Sequence, residues 1–458
     1  MRVLITTDSY YPQVNGASYF AQRLAADLTR RGHELLVIAP STTFESGYVS
    51  VGGINVFGIR SVPVFFYKDM RVAYPPDLDG ATATALRDFR PEVVHAQGHF
   101  PISKALIGNA KRLGIPIVGT NHFMPENLTH YAHLPSPLDS HLRRWLWAQF
   151  RAVYEDLDQV TTPTDTAASF MKRNGFSKEI RVISNGIDLD RFHPDGADDG
   201  VLRRTFGLPG LPLLLYVGRL DKEKNLDLVL RALGRLPRNV PIHFAIAGTG
   251  ARREKLEALV RHVELKDRVT FLGFVPDADI PALYRAAHCF VMAGTAELQS
   301  IATMEAMASG LPVLAVDAMA LPELVHHGEN GYLFALDDPE GLCARMQDLF
   351  TDDALRKRMG DASLVIIQKH ALERTLEKFE AVYEDARALP GAKPAGPGQI
   401  QASSVGAPPL SGDAEEAGAT GVRSVPKVDH AVEDGMDPPA SPPAESFSRG
   451  FEISRPTV

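Results

Sequence analysis

Short apolar runs alternate with longer amphipathic stretches along the chain, beginning at residue 2. RVLIT (2–6) is followed by a turn, by ASYFAQRLAADLTRRG (17–32) with apolar residues at helical spacing, and by ELLVIAP (34–40). This order predicts a strand, a helix that stops at Gly32 and a second strand. The apolar runs INVFGI, EVVHA, IPIVGT, QVTTP and RVIS continue the pattern. Because these strands lack polar alternation and are separated by helices, they predict a parallel sheet covered on both faces.

The same rhythm starts again after NGIDLDRFHPDGADDG (185–200), a polar, glycine-rich stretch with the composition of a linker. The apolar runs LPLLLYVG, IHFAIAG, RVTFLG, HCFVMAG and LPVLAV follow, with helical stretches between them. The whole pattern predicts an α/β protein with two doubly wound domains, 1–188 and 189–389, that face a cleft. Ligands of such sheets bind beyond the carboxyl ends of the strands.

An amphipathic stretch at 363–389 closes the second predicted domain. From residue 390 to 458 the chain is dominated by Pro, Gly, Ala, Ser and acidic residues. Such a segment offers too little apolar surface to offset the entropy lost on ordering, so we predict a disordered tail.

Composition narrows the class of protein. With 458 residues and 45% hydrophobic residues, the chain can bury a large core. The net charge of -8 argues against nucleic-acid binding, which needs a basic surface. Cys289 and Cys343 both lie in apolar stretches, which favours a reducing cytoplasm over a disulfide framework. We expect no secretory leader and, because no apolar segment approaches about 20 residues, no membrane span.

The turn after the first strand, YYPQVNGAS, lacks the G-x-G-x-x-G motif, which disfavours a nicotinamide cofactor. Asn15 and Gly16 could form a tight turn that brings a helix N-terminus to an anion. A purely structural turn from strand to helix would look the same, so this segment alone does not decide between the two.

The segment YVGRLDKEKN places cations at the end of a predicted strand. Gly218 ends the apolar run, Arg219 follows at once, and Lys224 comes shortly after. At a carboxyl edge these two cations suit a phosphate or diphosphate. The alternative is a solvated basic loop in which they pair with Asp221 and Glu223.

The segment ELQSIATMEAMASGLP (297–312) follows the predicted strand HCFVMAG. Ser300 can cap a helix whose free N–H groups point into the cleft. Glu297, before that helix, and Glu305, two turns into it, can accept hydrogen bonds from ligand hydroxyls. A sugar joined through a diphosphate to a ribose has this arrangement of groups. By spacing alone, two solvated acids are an equal alternative.

Four motifs in chain order resemble the retaining glycosyltransferases of the GT-B architecture, family 4 (group 1). They are NGID at 185–188, Arg219 with Lys224, Glu297 with Glu305, and AMASGLPV after the second acid. The resemblance covers residues 1 to 385. It implies two Rossmann-like domains, a UDP- or GDP-sugar as donor substrate, and no cofactor.

The resemblance also implies residue roles. In that family the Arg and Lys bind the donor diphosphate in place of a metal, the first Glu contacts the transferred sugar, and the second contacts the ribose. With neighbouring groups, the expected donor-binding set is Gly16, Gly218, Arg219, Lys224, Glu297, Gln299, Ser300, Ile301 and Glu305. Asp-x-Asp strings begin at Asp77, Asp156 and Asp188, but two lie in helical or turn contexts and one in the linker, so we predict no metal.

One departure concerns the residues after Glu297. The family commonly has a small residue, Phe and Gly there, whereas this chain has Leu298, Gln299 and Ser300. We expect Gln299 to place a polar side chain near the sugar. A Gln at this place resembles the branch that glycosylates diacylglycerol lipids.

The segment GTNHFMPENL (119–128) follows a predicted strand, so His122 should lie at the cleft edge of the first domain. A lone histidine is more often structural, but this one resembles the family's first-domain histidine, which implies contact with the transferred sugar. The expected catalytic residues are therefore His122, Arg219, Lys224 and Glu297. NHFMPEN resembles the membrane-associated diacylglycerol glucosyltransferases and makes Glu126 and Asn127 acceptor-side candidates.

HLRRWLWAQFR (141–151) contains both tryptophans of the chain, Trp145 and Trp147, beside Arg143 and Arg144. Aromatic rings next to arginines are typical of helices that lie on anionic lipid surfaces. SVPVFFYKDMRVAYP (61–75) is a second aromatic and basic stretch. The alternative is that the rings fill the core and the arginines are solvated.

Together these features predict a cytoplasmic, metal-independent retaining hexosyltransferase, peripheral on the inner face of the membrane. Its expected partners are a nucleotide-sugar donor, an acceptor such as diacylglycerol and an anionic membrane surface. Three alternatives stay open: a soluble acceptor such as a sugar phosphate or inositol, a non-catalytic sugar-nucleotide-binding protein, and an epimerase of the same architecture.

Overall fold

The computed structural model describes residues 1–10, 16–64, 67–123, 136–196 and 200–393. Several predicted features lie outside these residues: the turn at 11–15, the acceptor-side candidates Glu126 and Asn127, and residues 394–458 of the predicted tail. Within the described residues the strands are β1 (Arg2–Thr6), β2 (Glu34–Pro40), β3 (Gly47–Val51), β4 (Ile54–Ile59), β5 (Ser61–Val64), β6 (Tyr67–Ala73), β7 (Val93–Ala96), β8 (Ile117–Thr120), β9 (Gln159–Thr162), β10 (Arg181–Val182), β11 (Leu213–Val217), β12 (His243–Ala247), β13 (Val269–Gly273), β14 (Cys289–Met292), β15 (Val313–Val316) and β16 (Gly331–Phe334).

The α-helices of the described residues alternate with these strands. They are α1 (Gly16–Arg30), α2 (Leu78–Phe89), α3 (Pro101–Leu113), α4 (Ser136–Tyr154), α5 (Asp165–Arg173), α6 (Gly200–Thr205), α7 (Leu226–Arg235), α8 (Arg253–His262), α9 (Ile280–Ala286), α10 (Ile301–Ala308), α11 (Pro339–Thr351), α12 (Asp353–Ile367) and α13 (Leu372–Arg387).

Two sheets are built from these strands. The first has eight strands in the order β10-β9-β8-β7-β1-β2-β4-β3, and the second has six in the order β13-β12-β11-β14-β15-β16. All pairings are parallel except that of β3 with β4. The predicted α/β class is therefore confirmed. Strands β5 and β6 form a separate antiparallel pair.

Each sheet is buried on both faces, which explains why its strands lack polar alternation. In β1, Leu4 packs on one side with residues of α2, α3 and α4, whereas Val3 and Ile5 pack on the other side with residues of α1 and α13. The pattern missed β3, β5, β6 and β16. Strand β3 has exposed and half-buried side chains at a sheet edge, and β16 is short and begins with Gly331, where a Cβ would lie 1.9 Å from the Val313 carbonyl oxygen.

The stretch 363–389 is not one continuous helix. Helix α12 ends at Ile367 in the core of the second sheet, and α13 begins at Leu372 in the core of the first. Apolar residues of α13, such as Phe379 and Tyr383, are fully buried against the first sheet. The chain therefore returns to its first half after completing the second, and the boundaries 1–188 and 189–389 stay a prediction.

The outward and return crossings between the two cores lie side by side. On the way out, Ile183 belongs to the first core and Ile187 to the second. On the way back, the Ile187 N–H donates to the His370 carbonyl oxygen at 2.9 Å, and the Leu372 N–H donates to the Ile187 carbonyl oxygen at 2.9 Å. We call residues 184–186 and 368–371 the two crossover segments.

Gly186 is where the outward crossover segment is tightest. Its φ is +72°, and a Cβ there would lie 2.9 Å from Thr375 Oγ1 and 3.1 Å from Leu372 Cδ1. We expect Gly186→Ala to lower the free energy of unfolding by about 2 kcal/mol, since both left-handed strain and crowding oppose the methyl group. Urea unfolding followed by circular dichroism measures this.

The control for this experiment is Gly207→Ala. Gly207 has a φ of +63° but nothing within 4 Å of its Cβ position, so only the strain, about 1 kcal/mol, should be lost. Equal losses in the two variants would show that the crossover segment tolerates a side chain.

Candidate active site

At the carboxyl edge of the second sheet, the backbone of the loop after β11 lies very close to the backbone of the loop after β12. Gly218 follows β11, and a Cβ on Gly248, after β12, would lie 1.9 Å from the Gly218 carbonyl oxygen. The loops are joined by hydrogen bonds from the Gly218 N–H to the Ala247 oxygen at 3.0 Å and from the Leu220 N–H to the Thr249 oxygen at 2.8 Å. Only glycine permits this approach, and it fixes the backbone on either side of Arg219.

The structure brings Lys224 and Glu297 together from different loops. Lys224 lies after β11 and Glu297 after β14, and Nζ and Oε1 are 2.5 Å apart. Both side chains are largely buried, with 17% and 13% exposed. Gly294 makes room for the pair, because a Cβ there would lie 2.7 Å from Glu297 Oε1. The predicted cation and the predicted sugar-binding acid therefore form one partly buried unit.

A turn that contains Lys224 holds this unit in place. Asn225, with φ of +47°, donates its side-chain amide to the Ala293 oxygen at 2.9 Å and to the Glu223 oxygen at 3.0 Å. The Thr295 N–H donates to the Glu223 oxygen at 3.0 Å. These bonds join the two loops that carry the cation and the acid.

Arg219 pairs with its own loop. Its guanidinium lies 2.6 Å from Asp221 and 3.3 Å from Glu223, and the side chain is 37% exposed. These are the two acids with which the loop cations were expected to pair if the loop were only a solvated basic segment. The geometry nevertheless keeps the guanidinium on the carboxyl edge of the sheet, where an anionic ligand could share it with the two carboxylates.

Helix α10 starts beside Glu297, as the sequence predicted. The Ser300 Oγ accepts from the Thr303 N–H at 3.3 Å, and Ile301 is the first helical residue. The predicted cap is confirmed. Its effect is to end the loop that carries Glu297 in a fixed position relative to the helix.

Glu305 lies within α10 and has partners that the sequence did not reveal. Tyr284 Oη, from α9, lies 3.0 Å from Glu305 Oε2. Burial raises the pKa of Glu305 to about 7, while the hydrogen bond from Tyr284 and the charges of Arg23 and Arg191 oppose that rise. Tyr284 has the pattern of an ordinary core residue, and Arg23 comes from α1, so neither could be assigned to this site from sequence.

The cleft edge of the first sheet carries His122, which follows β8. Its Nε2 lies 2.7 Å from Gln97 Oε1, and its ring packs against Phe20 with centroids 4.7 Å apart. Because the amide oxygen only accepts, Nε2 carries the proton and Nδ1 is left as an acceptor. Burial lowers the pKa of His122 to about 4, so the ring is neutral at neutral pH.

Behind His122 lies a buried polar network that sequence analysis missed. Gln97 Nε2 lies 3.1 Å from His95 Nε2, and the other His95 nitrogen lies 2.7 Å from Tyr383 Oη on α13. His95 also contacts Thr120 Oγ1 at 2.6 Å. Its pKa is lowered to about 3 by burial and secondarily by His122. The strand EVVHA showed a histidine in an apolar run, but its partners come from distant parts of the chain.

Gln299 has polar partners within the chain. Its side chain is buried, its Oε1 accepts from the Asn185 N–H at 2.7 Å, and its Nε2 donates to Ser184 Oγ at 3.1 Å. Both ends of the amide are thus directed to the outward crossover segment. In this structure the polar atoms of Gln299 are bonded to the chain itself, and the expectation that its side chain lies near the sugar stays a prediction.

The two tryptophans of α4 have different environments. Trp145 is 57% exposed, and its neighbour Arg144 is also exposed. Trp147 is 4% exposed and packs in the first core against Phe150. The prediction that both rings meet a lipid surface is therefore wrong for Trp147, because two residues along a helix turn a side chain to the opposite side. Arg143 is partly buried and has an interaction of its own.

The first residues of the three Asp-x-Asp strings lie in ion pairs or a turn. Asp77 pairs with Arg60, and Asp156 with Lys111. Asp188 accepts backbone N–H groups in a turn. Among the residues that the structure describes, no three His, Cys, Asp or Glu side chains are grouped as metal ligands.

Gly16 begins α1 with open space at its Cβ position. In the same described ranges, no helix has the length and apolar character needed to cross a membrane.

Comparison with known families assigns both halves of the chain. Residues 14–191 match the model described as Glycosyltransferase Family 4, and residues 202–364 match the model described as Glycosyl transferases group 1. A lipopolysaccharide core biosynthesis mannosyltransferase, LpcC, of Rhizobium leguminosarum is 33% identical over 266 residues, which cover 56% of this chain and 73% of the relative. The alpha-monoglucosyldiacylglycerol synthase of Streptococcus pneumoniae is 29% identical over 339 residues, which cover 73% of this chain and 75% of the relative.

Solved structures share the fold. The Anabaena protein Alr3699/HepE, determined in complex with UDP, has a TM-score of 0.66 to this structure at 21% identity, covering 84% of this chain and 100% of the other. At that identity the likeness shows the fold, and the predicted GT-B architecture is confirmed.

The raised pKa of Glu305 generates a prediction about stability. A carboxyl whose pKa is higher in the folded state contributes stability below its ordinary pKa of 4.5, and this contribution is lost as pH rises toward 7. Glu305→Gln replaces the carboxyl with an amide that does not ionise, so the variant does not lose this stability as pH rises. We therefore expect the variant to gain about 2 kcal/mol in unfolding free energy relative to the wild type between pH 5 and pH 8. Urea unfolding at the two pH values measures this gain.

Tyr284→Phe tests the cause of the shift. Since the hydrogen bond from Tyr284 lowers the pKa of Glu305, its loss should move the pH range of the effect upward. A constant difference between Glu305→Gln and wild type at all pH values would contradict the raised pKa.

Proposed function

Because the chain belongs to the family 4 and group 1 glycosyltransferases, we propose that it transfers a hexose with retention, without a metal, to a membrane lipid such as diacylglycerol. The coarser activity, sugar transfer from a nucleotide-sugar donor, follows from the family. The observation that carries the finer proposal is the partly buried Lys224–Glu297 unit at the carboxyl edge of the second sheet.

In this proposal the donor diphosphate binds between Arg219 and Lys224. In the structure each cation is paired with one or two carboxylates. A diphosphate carries more negative charge than a single carboxylate, so it can compete for the cations. Arg219 is the more exposed of the two, and pairs of this kind contribute little to stability, so it can exchange partners at small cost. Both cations then stabilise the charge that develops on the leaving diphosphate.

The two acids take the hydroxyl groups of the donor. Glu297, once its lysine turns to the phosphate, accepts from hydroxyls of the transferred sugar. Glu305 accepts hydrogen bonds from the ribose hydroxyls, and these bonds are stronger when its carboxyl group is ionised. His122 is neutral, so its Nδ1 can accept a hydrogen bond from a sugar hydroxyl without adding charge beside the reaction centre.

We propose front-face transfer, in which the acceptor hydroxyl attacks from the side of the leaving diphosphate. The glycosidic bond to the diphosphate breaks, the new bond to the acceptor oxygen forms, and the diphosphate takes the acceptor proton. Asp8, at the carboxyl edge of β1, is committed to α3 by hydrogen bonds from the Ile102 N–H at 3.0 Å and Ser103 Oγ at 2.7 Å. Those bonds disfavour Asp8 as a nucleophile.

A lipid acceptor is supported by two observations. The relative from Streptococcus pneumoniae is a glucosyldiacylglycerol synthase by its printed description. Helix α4 exposes Trp145 beside Arg144 on the surface of the first domain, an arrangement that combines apolar burial with attraction to anionic headgroups.

Removal of either cation should abolish most of the activity. We expect Arg219→Ala or Lys224→Ala to lower turnover at least about 100-fold, the scale observed when one donor to a developing charge is lost. The measurement is release of UDP or GDP from a panel of nucleotide sugars.

The matched control is Lys222→Ala, which removes an exposed lysine from the same turn. It should retain nearly full turnover, and all three variants should keep the wild-type melting temperature. Near wild-type turnover of the Arg219 and Lys224 variants would remove the diphosphate site. The same assay in EDTA tests the metal-free mechanism, which a loss restored by magnesium or manganese would defeat.

Vesicle binding tests the acceptor. We expect vesicles with anionic lipid to sediment the protein more than neutral vesicles do, and salt to weaken the binding by screening the arginine. Arg144→Ala with Trp145→Ala should remove this binding while the slow hydrolysis of free donor persists. Trp147 is left intact because it belongs to the core.

Arg231→Ala with Phe274→Ala provides the comparison for this experiment. It removes an exposed arginine and an aromatic ring that is 67% exposed from the second domain, and it should leave vesicle binding unchanged. Equal sedimentation of the wild type with both kinds of vesicle, or with neither, would count against a membrane lipid and favour a soluble acceptor.

A further inference from the structure

The loop that follows β14 contacts more than the donor site. Leu298 is buried beside Ala167 of α5, and its carbonyl oxygen accepts from Thr164 Oγ1 at 2.8 Å. Gln299 binds the outward crossover segment through both ends of its amide. Successive residues of one loop are thus fixed to the first domain, to the crossover and, through Ser300, to α10.

The contact made by Gln299 falls where the chain passes between the two cores. Three residues, 184–186, separate Ile183 of the first core from Ile187 of the second. The Asn185 backbone N–H and the Ser184 hydroxyl are both bonded to Gln299. A rotation of one domain relative to the other changes the backbone of these residues and therefore displaces the Gln299 amide.

We propose that Gln299 is a positioning residue that couples the angle of the outward crossover segment to the position of Glu297, and so completes the sugar site only when the domains are closed. This inference rests on the proposed function for the role of Glu297. Residues 297 and 299 are in the same short loop, and Leu298 between them is buried. The buried Leu298 side chain limits how far the two residues can move independently of each other. A displacement at Gln299 therefore reaches Glu297.

The consequence concerns water. Donor hydrolysis competes with transfer, and closure of the cleft excludes water from the reacting sugar. If Glu297 is aligned only in the closed form, donor that binds to the open form is not activated. In this proposal the open crossover segment pulls Glu297 out of alignment through Gln299. Loss of that restraint leaves Glu297 aligned in both forms, so hydrolysis should increase relative to transfer.

The test uses Gln299→Met, which keeps the length of the side chain and removes its polar atoms. We expect the ratio of donor hydrolysis to transfer to rise about fivefold, the scale of one lost hydrogen bond. The affinity for UDP or GDP alone should be unchanged, because the Gln299 amide is bonded to Asn185 and Ser184, whereas Arg219 and Lys224 pair with other residues. Hydrogen exchange of the Asn185 amide should also become about fivefold faster, since that N–H loses its acceptor.

Thr375→Val is the matched control. Thr375 Oγ1 donates to the Ser184 oxygen at 3.1 Å, so the variant removes one hydrogen bond from the same segment without touching the donor loop. It should leave the ratio of hydrolysis to transfer at the wild-type value. Ser184→Ala removes one partner of Gln299 from the other side and should also raise the ratio of hydrolysis to transfer, although the Asn185 N–H keeps its bond to Gln299, which keeps the test decisive if Gln299→Met folds poorly.

The outcomes separate this inference from the function on which it rests. A change in donor KM alone, with an unchanged ratio, would mean that Gln299 contacts the sugar directly and would overturn the coupling. An equal rise in Thr375→Val would also overturn it, because any weakening of the crossover would then suffice. If the wild type transfers no sugar, the proposed function fails, and exchange at Asn185 in Gln299→Met still shows whether the loop is fixed to the crossover.

Discussion

The two crossover segments are hydrogen-bonded to each other, and the site depends on that contact. Each sheet has its own core, yet the chain must pass from the first to the second and back. Since Ile187 bonds to His370 and Leu372, both passages occur at one place. The carboxyl edges of both sheets are thereby tied to a common point. Together with the contact of Leu298 with Thr164 and that of Glu323 with the Thr166 N–H, this tie sets where the pair of Lys224 and Glu297 lies relative to His122 on the other sheet.

Charge within the second domain is arranged so that a ligand can replace internal partners. Lys224 and Glu297 compensate each other in a largely buried place, where either one alone would be costly. Arg219 shares two carboxylates closer to solvent. A donor that supplies both phosphate and hydroxyl groups satisfies the lysine and the acid together, whereas an anion without a sugar leaves Glu297 without its cation. The buried pair thus favours a ligand that carries both kinds of group.

Sequence patterns predicted the features that depend on local periodicity and on strand order. Apolar runs predicted the parallel strands of the first sheet and those of the second up to β15, and the carboxyl ends of these strands predicted that Lys224 and Glu297 would lie at the same edge of the second sheet, although not that they would form an ion pair. They could not predict partners that come from other elements. Tyr284 reaches Glu305 from α9, and His95 reaches Tyr383 across 288 residues. Nothing in a run such as EVVHA shows whether its histidine is an isolated core residue or the centre of a network.

The error at Trp147 arose because one residue type fits two surroundings and only its position around the helix decides between them. Trp145 and Trp147 have similar neighbours in sequence, but two helical positions separate a surface ring from a core ring. Gln299 and Glu297 are also two positions apart, and the loop directs one to the crossover segment and the other to Lys224. In both pairs the two residues have similar sequence surroundings, but their side chains have different partners in the structure. The position of Gln299 has the larger consequence, because the loop of residues 293–300 carries both Glu297, the acid that we propose for the sugar, and the amide that is bonded to the outward crossover segment. A single backbone movement of this loop would therefore reach both side chains.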